Sequence, residues 1–97
     1  MQSERFEWDE NKNHINIKKH GISFEEAETV FDDDNAIYLD DDEHSYEEER
    51  FIVIGRNGNQ KVLVVCHCYR ESGEVIRIIS ARKADNLETD WYYGGVI

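Results

Sequence analysis

Three β-branched segments, 50–55, 61–69 and 75–82, follow one another with only turn residues between them. Asn57-Gly58 and Ser72-Gly73 are dipeptides that reverse a chain between paired strands, so this half of the sequence reads as an antiparallel meander. A fourth apolar segment, 36–39, and a short one at Phe6-Glu7-Trp8 supply two more strands. Between them, Asp9 caps a helix that closes at Gly21, where a left-handed residue is wanted. Ser23 and Glu26 form a capping box with Ile22 and Ala27 as its hydrophobic staple, and that helix ends near Asp32. Asp85 and Glu88 open a last helix that runs through Tyr93 before Gly94-Gly95. The order β-α-α-β-β-β-β-α predicts one α+β domain over 1–97, a mostly antiparallel sheet packed by two N-terminal helices and a short C-terminal helix.

Composition narrows the class. The chain has 97 residues and 39% hydrophobic residues, enough for one core and too apolar for a disordered segment. No apolar run reaches the length of a membrane span, and the charged start MQSERFEWDE does not read as a signal peptide. Cys66 and Cys68, two apart, suit reduced thiols in the cytoplasm better than a disulfide. The net charge of −11 is not evenly spread. Residues 32–49 hold ten carboxylates and no Lys or Arg, which leaves 12 acids against 11 bases elsewhere. A site for an anionic substrate is therefore compatible with the composition, and the acidic stretch is expected to lie away from it.

Register gives a sharper expectation. A three-residue loop that pairs Arg70 with Glu74 sets His67 opposite Arg77. A two-residue Asn57-Gly58 turn sets Arg50 opposite Val65, on the same face. Two guanidiniums and an imidazole would then converge, a set suited to cleaving RNA through its own 2′-hydroxyl without a metal. Strict alternation puts Arg77 and Arg82 on opposite faces, so both serve one site only if a bulge intervenes near Ser80 or Arg82 lies beyond the strand end. On the first helix, Lys12, Asn16, Lys19 and His20 share one side, either as a solvated stripe or as a track for backbone phosphates.

Other chemistries fit poorly. An EF-hand frame starting at Asp32 places Ile37 where glycine is required. Cys66-His67-Cys68 on a strand splits its ligands between two faces, which disfavours zinc. No P-loop, G-x-G-x-x-G or triad spacing occurs.

Taken in order, F-E-W-D at 6–9, Lys12, Asn16, K-H-G-I-S-F-E-E-A at 19–27, V-F-D at 30–32, E-E-R-F at 48–51, I-G at 54–55, L-V-V at 63–65, R-I-I-S-A-R at 77–82, Glu88 and Tyr92 resemble the BrnT family of bacterial type II toxins. The resemblance implies a RelE-like fold and an endoribonuclease that inhibits translation in the cytoplasm, with no cofactor. It also implies a ribbon-helix-helix antitoxin, whose complex with the toxin would bind operator DNA. Carried over by position, Arg50, Arg77 and Tyr92 become catalytic candidates, and Lys12, Asn16, Lys19 and Arg82 RNA-binding ones, with Glu88 in support. His20 and His67 are the proton-transfer candidates, His67 on register alone. The stretch KADNLETDWYYGG departs from the basic cluster that often follows S-A-R in the family. That departure keeps a second reading in play, a non-catalytic module of the same fold that binds an antitoxin or a DNA-binding partner.

Overall fold

The computed structural model describes residues 5–44 and 48–94. Its elements are β1 (Arg5–Glu7), α1 (Glu10–His20), α2 (Phe24–Glu28), a 3₁₀ turn (Thr29–Asp32), β2 (Ile37–Asp40), β3 (Phe51–Arg56), β4 (Val62–Arg70), β5 (Val75–Lys83) and α3 (Asn86–Tyr92). The strands form one sheet in the order β1-β5-β4-β3-β2, antiparallel except where β1 runs parallel to β5. The α+β architecture expected from the sequence is what the chain adopts.

The helix ends follow local chemistry. The Asp9 side chain accepts from the N–H groups of Asn11 and Lys12, and α1 stops at Gly21, whose φ of 74° is open to glycine. Ser23 caps α2 through the N–H of Glu26, and Asp85 and Glu88 close a reciprocal capping box on α3. The end of the C-terminal helix expected at Gly94-Gly95 falls partly outside the described residues.

One sheet face carries Val53, Leu63, Val65, Ile78 and Ala81, packed by Ile22, Phe24, Ala27 and Val30 from the α1–α2 region. The other face is only partly covered: Tyr92 of α3 packs on Ile54 and Val64 at one end. The remainder of that face is half-buried at Arg50, Cys66, Arg77 and Arg82 and buried at Cys68.

The loops correct the expected register. The turn at Asn57-Gly58 is a five-residue loop, 57–61, because the Asn57 Oδ1 accepts from the N–H groups of both Asn59 and Lys61 and closes a wider circle. Phe51 therefore pairs with His67, and one step further Arg50 lies beside Cys68, not opposite Val65. The second loop has four residues, with Glu71, Ser72 and Gly73 all at positive φ, so Arg70 pairs with Val75. Cys68 then faces Arg77, and His67 faces Ile78. Each slip exchanges the two faces of its strand relative to β4. Arg50 and Arg77 still share a face, but His67 is on the other.

Candidate active site

The face opposite the α1–α2 core is built by alternate residues of β3, β4 and β5. Cys68 pairs with Arg77, but Cys66 pairs with Ser80 and Val64 with Arg82, so a bulge interrupts β5 between these pairs. The extra residue restores Arg82 to the side that Arg77 occupies, five positions earlier. A cavity of about 290 Å³ opens here, lined by Asp41, Glu43, Arg50, Ile52, Val64, Cys66, Ile79, Ser80 and Arg82.

Arg50, Arg70, Arg77 and Arg82 on this face each lie within 4 Å of a carboxylate. Arg82 forms two bonds of 2.8 Å with the two oxygens of Glu88, whose Oε1 also accepts from the N–H of Asp85. The Glu88 carboxyl is held below its ordinary value, chiefly by those Arg82 hydrogen bonds. Arg77 contacts Glu7 at 2.9 Å across the β1–β5 pair. Glu48 reaches Arg70 at 3.2 Å and Arg50 at 3.8 Å. The acidic stretch is thus not remote from this face, as the sequence suggested: Glu48, Asp41 and Glu43 all border it.

Cys66 contributes a protonated thiol to the cavity. Its Sγ lies 3.5 Å from Asp41 Oδ2, and burial, with the Asp41 charge beside it, pushes its pKa up to about 12. A thiol in that state is a weak donor and not a nucleophile. Among the described residues no group of three His, Cys, Asp or Glu side chains is placed to hold a metal ion.

The remaining candidates are dispersed. His67 is completely buried, ringed by Phe31, Tyr38, Phe51 and Tyr69, with its ring nitrogens on Val65 O and Tyr69 Oη at 3.3 Å. Burial lowers its pKa. Asn16 is also buried: its amide donates to Ile22 O and Ala81 O at 2.9 and 2.8 Å and accepts from Ala81 N–H at 3.1 Å. It pins α1 against β5 instead of lying on an exposed stripe. Lys12 and Lys19 are exposed on α1, and exposed His20 ends that helix. Tyr92 donates to Asp33 Oδ2 at 2.5 Å. Burial works to raise the Asp33 pKa, but hydrogen bonds from Arg56 N–H, Tyr92 and Asn35 N–H, with the Arg56 charge, bring it below the usual range. Tyr92 thus ties α3 to the β2–β3 end of the sheet, outside the cavity.

Sequence reasoning missed Asp41, Glu43, Cys66 and Ser80 as neighbours of the arginines. Their only signal was register, and both loops misread it.

Residues 8–88 match the family described as "Ribonuclease toxin, BrnT, of type II toxin-antitoxin system". The chain belongs to this family. Its fold is similar to the 1.1 Å crystal structure of the Brucella abortus ribonuclease toxin BrnT, at 25% sequence identity and a TM-score of 0.65. That similarity covers 86% of this chain and 99% of the Brucella toxin. No curated protein sequence matches the chain. The BrnT match includes Arg50, Arg77, Arg82 and Glu88, while Tyr92 and Glu7 lie beyond it. Membership in a family of type II toxins implies an RNA substrate and an antitoxin partner. No helix among the described residues is long and apolar enough to cross a membrane.

Proposed function

We propose that this BrnT-family protein is a metal-independent endoribonuclease toxin that cleaves RNA on the arginine-lined face of its sheet and so inhibits translation in the cytoplasm. The observation that carries the reading is the β5 bulge, which brings Arg77 and Arg82 to the face that also bears Arg50. Guanidiniums keep their charge and grip phosphate oxygens through a planar fork, which suits them to an extra negative charge on a pentavalent phosphorus. The carboxylates beside them keep the forks oriented, and the part-exposed single contacts at Arg50 and Arg77 are weak enough, about 0–1 kcal/mol, for a phosphate to replace them.

In this reading the 2′-hydroxyl attacks phosphorus, forming the O–P bond as its proton passes to a cavity carboxylate, Asp41 or Glu43. The bond to the 5′-oxygen then breaks, the proton returns to that leaving oxygen, and a 2′,3′-cyclic phosphate remains. His67 faces away from the cavity and is left out of this step. His20 and Tyr92, which do not line the cavity, are likewise left to supporting roles. Glu88 supports the site by fixing Arg82, and Lys12 and Lys19 contact the RNA backbone. The partner is a ribbon-helix-helix antitoxin, and operator DNA is bound only through their complex.

Purified protein is incubated with single-stranded RNA in the presence of EDTA, wild type beside Arg50→Ala and Arg77→Ala. Cleavage to cyclic-phosphate ends by the wild type, about 10²-fold slower in either variant, is the expected result. Intact RNA in every lane, with antitoxin binding preserved, would instead favour the non-catalytic module.

A further inference from the structure

The α1 helix is inverted relative to an ordinary surface helix. Its buried side chains are Asn13 and Asn16, while Ile15 and Ile17 are 61% and 41% exposed. Asn13 and Asn16 face inward because each satisfies backbone groups: Asn13 Oδ1 takes the Phe24 N–H at 2.8 Å, and Asn16 brackets Ala81. Opposite them, Asn11, His14, Ile15 and Lys18 follow i, i+3, i+4, i+7 spacing and so form one outward stripe. With Ile17 they line a surface groove of about 610 Å³. The helix is also a basic island on an acidic protein, with Lys12, Lys18 and Lys19 against Glu10 alone.

We infer that this stripe is a docking surface for an acidic amphipathic helix of the antitoxin, a step that rests on the toxin reading above. Charge complementarity selects the partner's sign: a helix with glutamates at its rim meets Lys18, which lines the groove, while Lys12 and Lys19 are outside its lining. Exposed Ile15 and Ile17 select a protein over RNA, because a phosphate track has no use for isoleucines, whereas leucines at helical spacing pack against them as ridges into grooves. The stripe is separate from the cavity, so docking here leaves the cleavage residues in place.

The test is an NMR titration of the full chain with three probes. These are a synthetic helical peptide with leucines at i, i+3, i+4 and i+7 and glutamates elsewhere, the same peptide with lysines for glutamates, and a single-stranded oligoribonucleotide. The acidic peptide is expected to shift the amides of α1, with binding weakened about tenfold or more by Ile15→Glu or Lys18→Glu, both surface changes that preserve the fold. RNA cleavage by these two variants, run on the same preparations, is expected to equal wild type. No response to the acidic peptide overturns the inference, as does occupation of the stripe by the oligoribonucleotide or by a second copy of the chain. Loss of cleavage in the wild type with peptide docking intact would instead strike the ribonuclease reading and leave the docking surface standing.

Discussion

Arg77 and Arg82 project from one face of β5 although an odd number of positions separates them. The bulge between the Cys66–Ser80 and His67–Ile78 pairs absorbs the extra residue. Arg50 reaches the same face from the position just before β3, so the three guanidiniums enter from β5 and from the start of β3. Arg50→Ala and Arg77→Ala are each expected to lower the RNA cleavage rate by about 10²-fold, the usual cost of one preorganised charge donor. The corresponding Lys variants recover only part of it, because a point charge cannot reproduce the fork. Single-turnover cleavage, with thermal melting as a control for folding, measures both.

Asn16 makes three hydrogen bonds from a buried position, two of them to the backbone of a single residue, Ala81. Asn16→Ala leaves buried backbone groups without partners, and Asn16→Leu does so while also crowding them. Either substitution is expected to cost about 2–4 kcal/mol, read from urea unfolding midpoints.

His67 gives the protein an acid-sensitive step. Its pKa is lowered in the fold by burial, so below the ordinary value near 6.5 the unfolded chain binds a proton that the folded one resists. Its contribution is fully present above that value and is lost as pH falls from there toward the lower folded pKa. Stability should fall by up to about 1.4 kcal/mol per pH unit in this window. Denaturant melts at stepped pH check the slope, and His67→Gln should flatten it while the carboxylate step at lower pH, to which Asp33 and Glu88 contribute with the same sign, remains.

Gly55 is required by close approach. A Cβ there would lie 2.9 Å from Val30 Cγ1 and 3.2 Å from both Ala36 Cβ and Asp33 Oδ2. Gly55→Ala is expected to destabilise the fold by about 1–3 kcal/mol, measured by thermal or urea melts.

The strands, the caps at Asp9, Ser23 and Asp85, and the stop at Gly21 were legible because each depends on residues a few positions apart. The face on which a side chain emerges depends on how many residues a loop absorbs. Asn57 widened one loop through its own side chain, and three left-handed residues lengthened the other, so the expected partnership of His67 with Arg77 became Cys68 with Arg77. Asn16 looked like part of a solvated stripe, since nothing near it in sequence announces the buried backbone groups of Ala81, 65 positions away, that it satisfies.

Sequence by itself determined the order of elements, their ends and the family, because short-range hydrogen bonding and apolar periodicity are written locally. Tertiary structure alone decided which charges meet. In a two-sided sheet a one-residue change in a loop or a single bulge exchanges the faces, and only the assembled strands count those residues.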